Sequence, residues 1–252
     1  MCLVAIAWKT HPRWSLVVAA NRDEWRDRPA APAGWWADAP GVLAGRDLRA
    51  GGTWMGVTRD GRFAAVTNFR DPSDKRGDAR SRGELVAEFL KGRDDPRRFL
   101  DRLAAIAGAY NGFNLLAGDG DALWYFGSRE GEVRAVEPGI HALSNHLLDE
   151  PWPKVRRARQ AMAADVAGDE GALFAMLGDA TPGADAELPD TGVGLAWERR
   201  LSPALITGAD YGTRASTVVR LSAHGESQFE ERTRGPGGEV TGVVAYALPP
   251  PG

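Results

Sequence analysis

Hydrophobic positions near the start of the chain fall in two short runs, Cys2 to Trp8 and Trp14 to Arg22, separated by Lys9-Thr10-His11-Pro12-Arg13. Both runs contain β-branched residues, so the pattern predicts two strands joined by a short turn. Further strands are predicted at Gly41–Gly45, Thr53–Thr58 and Phe63–Phe69, the last two joined by an Asp60-Gly61 turn signal. The period then changes. Ser81-Arg82-Gly83-Glu84 has capping-box spacing, followed by Leu85, Val86, Phe89 and Leu90 on one helical face. Asp95-Pro96 opens a second helix by cap and first-turn proline, with Phe99, Leu100, Leu103 and Ile106 inward and Gly108 ending it.

Strand patterns resume at Gly112–Gly118, Ala122–Ser128, Glu132–Glu137 and Ile140–Asn145. Pro153 to Val166 and Ala172 to Leu177 read as a second helical pair, and the basic residues Lys154, Arg156, Arg157 and Arg159 read as a solvated face. Gly178–Gly194 thins to small and polar residues, a loop with the length of a lid. Three last strands are predicted at Thr213–Ser222, Ser227–Thr233 and Val240–Leu248 before a proline-rich end. Sheet runs interrupted by paired helices predict an α+β domain in which two packed sheets are covered by helices.

The 252 residues can share one core, so a single domain over 1–252 is expected. A net charge of −3 with mixed signs gives no electrostatic reason to bind nucleic acid or an anionic membrane. One cysteine supplies neither a disulfide nor a thiolate zinc cage, and no apolar run reaches the roughly 20 residues of a membrane span. The opening segment lacks a basic n-region, which makes the cytoplasm the expected location.

Common nucleophile, zinc and nucleotide motifs are absent, so the unusual positions carry the search. Cys2, the single thiol, directly follows Met1. Removal of Met1 would place a thiol nucleophile and an α-amino base on one residue. The amine, with an ordinary pKa of about 7.7–8.0, is a better base near neutrality than a lysine of about 10.4. The other reading of Cys2 is a small buried hydrophobe at a strand start. Strand alternation puts Asn21 and Asp23 on one face and Arg22 and Glu24 on the other. Asp23 is then a candidate to hold the amine, and Asn21 or Arg22 to set the thiol or substrate. Turn chemistry at a strand end is the alternative for each.

Cys2 together with Asn21-Arg22-Asp23-Glu24 resembles the NRDE family, also called the transport and Golgi organization protein 2 family. The resemblance runs the full chain. It implies an αββα sandwich of the N-terminal nucleophile hydrolase type, because the distant cholylglycine hydrolase and penicillin V acylase families cleave amides with a Cys at position 2. Carried over, Cys2 matches the nucleophile, Asp23 the aspartate, Asn68 the asparagine that helps form the oxyanion hole and Asn145 a second site asparagine, so the resemblance implies that Asn68 and Asn145 both stabilise the oxyanion. Amide donors aimed at an oxyanion contribute about 2.7–4 kcal/mol. The acylase arginine before the aspartate falls on Ala20, with Arg22 as a displaced candidate. The later one falls near Thr217, with Arg214 or Arg220 as substitutes. The resemblance also implies roles in Golgi organisation and in haem or lipid handling.

Trp25, Trp35, Trp36 and Trp54 are placed to pack the core or to line an apolar ligand cleft, and Trp54 is a substrate-binding candidate. Gly51-Gly52-Thr53 is a weak candidate for a phosphate-approaching turn. His11, His141, His146 and His224 lack ligand spacing, so no metal is expected. Two functions remain. One is a cysteine amidohydrolase acting on a non-peptide amide or acyl bond without a cofactor; the other is a non-catalytic carrier of haem or an acyl-lipid.

Overall fold

Strand β1 (Cys2–Trp8) is buried along its whole length. Leu3, Ala5 and Ala7 face helices, whereas Val4, Ile6 and Trp8 face a second sheet. A strand covered on both sides carries no polar alternation, which is why this segment is an unbroken apolar run. The computed structural model describes residues 2–165 and 170–250. In chain order β1 is followed by β2 (Leu16–Trp25), β3 (Ala30–Trp36), β4 (Ala39–Asp47), β5 (Met55–Thr58) and β6 (Phe63–Asn68), then by helices α1 (Gly83–Lys91) and α2 (Pro96–Ile106). Strands β7 (Phe113–Gly118), β8 (Leu123–Gly127), β9 (Val133–Ala135) and β10 (Gly139–Leu143) precede α3 (Pro153–Asp165), α4 (Glu170–Leu177) and α5 (Leu195–Leu201). The chain closes with β11 (Tyr211–Leu221), β12 (Ser227–Arg234) and β13 (Val240–Leu248).

These strands form two antiparallel sheets, ordered β10-β1-β2-β11-β12-β13 and β3-β4-β5-β6-β7-β8-β9. Val4, Ile6, Val18 and Val219 of the first meet Leu43, Val57, Phe63 and Leu116 of the second in the central core. Helices α1 and α2 cover the outer face of the second sheet with Leu85, Phe89, Phe99 and Leu100. Helices α3 and α4 cover the first with Val155, Met162, Phe174 and Leu177. The molecule is therefore a four-layer αββα sandwich.

Several local expectations change. The capping box at Ser81 does not form: Arg82 occupies the cap position without a side-chain bond. Glu84 instead accepts from the Tyr110 hydroxyl (2.7 Å) and pairs with Arg80 (2.6 Å). The second helix starts as expected, with the Asp95 side chain accepting from the Arg98 N–H and Pro96 in the first turn. Strand β3 and helix α5 are additional elements, β4 is longer than its predicted run, and Val166 lies outside the described residues. Gly52 packs its backbone against Gly83, where a Cβ would meet the Gly83 carbonyl carbon at 2.5 Å. That close crossing accounts for Gly52, and a positive φ of 75° for Gly51.

Candidate active site

Strand register assembles the site. Cys2 lies directly across from Arg22, and Asp23 lies across from Thr213 on the other side of β2. Opposed residues of an antiparallel pair share a face. The pairs Val4–Ala20 and Ile6–Val18 both face the second sheet, so Cys2 and Arg22 do as well. Asn21 and Asp23 take the opposite, helix-covered face. A bulge at Arg214 lets β11 turn there, because Thr213 pairs with Asp23 and Ala215 with Arg22.

A cavity of about 540 Å³ opens where the two sheets part, and Cys2, Arg22, Asp23, Trp54, Asn68 and Arg82 are among its lining residues. Arg214 also lines it, with Nη1 donating to the carbonyls of Trp25 (2.9 Å), Arg26 (3.3 Å) and Arg28 (3.1 Å). Asn145 stands behind the wall. Its side chain is fully buried and donates to the Asn68 carbonyl (2.9 Å), while Ser144 Oγ donates to the Cys2 carbonyl (3.1 Å). The Ser144-Asn145 pair thereby ties the start of β1 to the end of β6. Asn21 is fully buried away from the cavity, its Nδ2 donating to the Leu177 and Ala204 carbonyls (both 2.8 Å). It fastens the end of α4 to the sheet.

Charge at the site is controlled by burial. Loss of water pushes the Cys2 thiol up, opposed by the Arg22 guanidinium and by the Asp23 backbone N–H. Burial likewise pushes the Asp23 carboxyl up, opposed by Lys154 and by Thr213, whose Oγ1 donates to Asp23 Oδ1 at 2.7 Å. Thr213 is itself fixed by the Ile206 N–H (2.9 Å). Glu231, on β12 at the cavity wall, is also raised by burial while it accepts from the Ala33 N–H (2.8 Å) across the sheets.

Lys154 is not solvated: it is 2% exposed. Its signal was available, since Val155, Ala158 and Met162 form the buried stripe of α3 and Lys154 sits at the head of that stripe, four residues before Ala158. Arg70 and Glu198, not foreseen as site neighbours, form a buried ion pair of 2.5 Å nearby. The predicted lid does not cover the cavity. Thr191 is held by Glu198 through its N–H (3.0 Å) and hydroxyl (2.6 Å), and Gly183 packs on Pro153 at the start of α3. Of the four candidate tryptophans only Trp54 lines the cavity; Trp36 packs under α1, Trp35 against Tyr246, and Trp25 is 46% exposed. Thr217 is buried with its hydroxyl toward Glu231 (3.4 Å), and Arg220 pairs with Glu170 (3.0 Å) away from Cys2.

Among solved structures, the chain resembles a "mutant C2A conjugated bile acid hydrolase from Clostridium perfringens", with a TM-score of 0.53 over 98% of this chain and 92% of that one. At 10% identity the likeness concerns the fold alone. A "Transport and Golgi organization protein 2 homolog" from Bos taurus is 38% identical over 92% of this chain and 93% of its own length. The Drosophila melanogaster "Transport and Golgi organization protein 2" is 27% identical over 92% of each chain. The family described as Transport and Golgi organisation 2 matches residues 1–236. With that match over nearly the whole chain, and with the αββα layers and the Asn21-Arg22-Asp23-Glu24 segment beside Cys2, the chain belongs to the transport and Golgi organisation 2 family.

Proposed function

We propose that this protein is a cysteine hydrolase of the N-terminal nucleophile type, acting on a non-peptide amide or related acyl bond. The observation that carries the reading is the thiol of Cys2 at the wall of a cavity large enough for a drug-sized molecule, with Asp23 lining the same cavity from the neighbouring strand and its backbone N–H toward the thiol. The αββα likeness to a conjugated bile acid hydrolase supports it. In this reading Met1 is removed and the freed α-amine of Cys2 acts as the base. Cys2 Sγ bonds to the acyl carbon and its proton passes to the amine. The amine then protonates the leaving nitrogen as the C–N bond breaks, leaving a thioester. Water adds to the thioester, the amine takes the water proton, and the released sulfur recovers it. Asp23 orients the amine. Asn68 faces the developing oxyanion, and Asn145 sets the Asn68 backbone behind it. Arg22, Arg28 and Arg82 line the same space, which favours an acyl compound carrying a negative group, with Trp54 against its apolar part.

Intact mass after incubation with a panel of N-acyl amides tests this. The expected result is a chain beginning at Cys2 that gains one acyl group, and a Cys2→Ala variant that gains none. Turnover that persists unchanged in Cys2→Ala would overturn it. The second reading, a carrier of haem or an acyl-lipid, draws on the same arginines and Trp54. A saturable haem spectral change at one equivalent, with Cys2 left unacylated by every probe, would select the carrier.

A further inference from the structure

The inner face of the first sheet carries its side chains in cross-strand rows. Cys2 lies across from Arg22, Arg22 from Ala215 and Ala215 from Thr233, so these four share one row over β1, β2, β11 and β12. All four line the cavity, and the row crosses three strand spacings, roughly 14 Å of sheet. One row deeper stand Val4, Ala20, Thr217 and Glu231. Of these only Glu231 lines the cavity. The next row, Ile6, Val18, Val219 and Phe229, belongs to the central core. The cavity is thus a slot that runs from the thiol across the strands and ends on a carboxyl group. Small residues keep that end open: a Cβ on Gly45 of the second sheet would stand 3.9 Å from Glu231 Oε2 and 3.2 Å from the Ala31 carbonyl oxygen.

Glu231 also clips the two sheets together. The β3–β4 pairing slips between Ala31 and Gly34, which leaves the Ala33 N–H to Glu231 Oε1 (2.8 Å), while Thr217 Oγ1 lies 3.4 Å from Oε2. That clip needs only a neutral acceptor. A glutamine would serve it without the cost of burying a carboxylate that is 5% exposed. Two other carboxylates at the cavity are answered by arginines, Glu24 by Arg22 and Arg28 (both 3.9 Å) and Asp47 by Arg28 (2.6 Å). Glu231 has two neutral donors, and Arg22 acts on it through space without a hydrogen bond. Since a carboxylate has about four lone-pair sites, capacity is left on the side of the slot.

We propose that Glu231 is a specificity-determining residue that receives a primary ammonium at the far end of the slot, so that the molecule taken up has its reacting acyl carbon at Cys2 and an amine three strands away. Arg22, second in the row, meets an acidic group between these ends. The class is therefore an acyl compound that carries both an acidic and an amino group. Calling that molecule a substrate rests on the hydrolase reading, whereas the amine subsite stands on the cavity and its rows.

Disulfide capture on the full chain tests it, because exchange needs the Cys2 thiol and no turnover. Symmetric alkyl disulfides of increasing length, with either amine or methyl ends, are equilibrated with the protein under a fixed excess of mercaptoethanol, and the captured group is read by intact mass. At lengths that reach Glu231 the amine form should be captured about tenfold better than the methyl form, relative to the shortest pair, the effect of one hydrogen bond to a charged group. In Glu231→Gln, which keeps an acceptor for the Ala33 N–H, that preference should vanish while methyl-ended reagents are captured as before. Ala215→Leu fills the middle of the row, so it should abolish capture of long reagents and spare short ones; this arm decides the matter if Glu231→Gln fails to fold. The proposal is overturned by a wild type without a length-dependent amine preference, by a preference that survives Glu231→Gln, or by long-reagent capture unchanged in Ala215→Leu. If the preference is seen and no N-acyl amide acylates Cys2, the hydrolase reading falls and the amine subsite stands. If Cys2 is acylated and amine ends are never preferred, the subsite falls and the hydrolase reading stands.

Discussion

The two helical layers cover equivalent sheets and are built differently. Beneath α1 and α2 the contacts are apolar: Leu85, Val86, Phe89, Leu90, Phe99, Leu100 and Leu103 on Ala64, Val66 and Leu115. A charged side chain buried there, Arg62, lies over the Phe89 ring at 4.0 Å and donates to the Phe89 and Asp94 carbonyls (3.2 and 2.8 Å). Beneath α3, α4 and α5 the apolar floor of Leu3, Ala5, Val17 and Val218 is interrupted by Asn21, Asp23, Arg70, Lys154 and Glu198. Burying charge is a poor way to stabilise a sheet. The polar layer thus marks where the fold gives up stability to hold a defined electrostatic arrangement behind Cys2.

The largest test of that contrast is Glu198→Ala. It leaves Arg70 buried without its bonded anion and releases Thr191, so a loss of about 3–5 kcal/mol is expected in denaturant unfolding. A well-packed double replacement, Arg70→Met with Glu198→Leu, should recover most of it. If the single variant unfolds like wild type, the polar layer is not under strain and the comparison fails. Leu100→Ala is the counterpart in the apolar layer. It removes a fully buried side chain and should cost about 3 kcal/mol through the cavity it leaves. Cys2 alkylation in the folded protein should nevertheless proceed at the wild-type rate, since Leu100 is not among the residues lining the Cys2 cavity.

The same contrast explains what the sequence made legible. Strands β1 and β2 stood out because both faces are dry, and α1 and α2 because one face is. β3 was hidden: Ala30–Trp36 contains Pro32 and Gly34, and its pairing with β4 slips between Ala31 and Gly34 and again between Trp35 and Trp36. Helix α5 is short, enters from Gly194 at φ 83° and has no side-chain cap. Cys2 and Asp23 stood out by position and strand alternation, Asn68 and Asn145 only through a resemblance, and register and hydrogen bonds bring them to one end of the sandwich. Lys154 was masked by its neighbours Arg156, Arg157 and Arg159, because a run of like charges reads as one exposed face even when a single member belongs to the buried stripe.

A smaller effect tests whether local sequence rules suffice in the apolar layer. Asp95 caps α2 by accepting from the Arg98 N–H at 3.0 Å. Asp95→Ala should cost about 1 kcal/mol, read as a lower unfolding midpoint with no change in Cys2 reactivity. An altered thiol would mean that the two layers communicate.

The smallest effect lies in the turn that carries Asn145. His141 Nδ1 and Asp149 Oδ2 are 2.7 Å apart, and Asp149 Oδ1 accepts from the Ala142 N–H at 2.9 Å. The Asp149 hydrogen bond raises the His141 pKa above its ordinary value. Against the opposing effect of burial, the His141 and Ala142 contacts lower the pKa of Asp149. A histidine raised in the folded state contributes its full stability below the unfolded value near 6.5 and loses it as pH rises through the folded value. A carboxyl lowered in the folded state contributes above about 3.8 and loses it as pH falls through its folded value. The clip is therefore whole between these limits and weakens on both sides. Because both partners keep contact with water, the contribution should stay below about 1 kcal/mol. Unfolding free energies from pH 6 to 8 should decline in wild type more than in His141→Gln. Equal slopes would show that the turn holding Asn145 is set by the backbone alone, with Asp149 at φ 64° and its N–H donating to the Ala142 carbonyl (2.9 Å) as the remaining restraints.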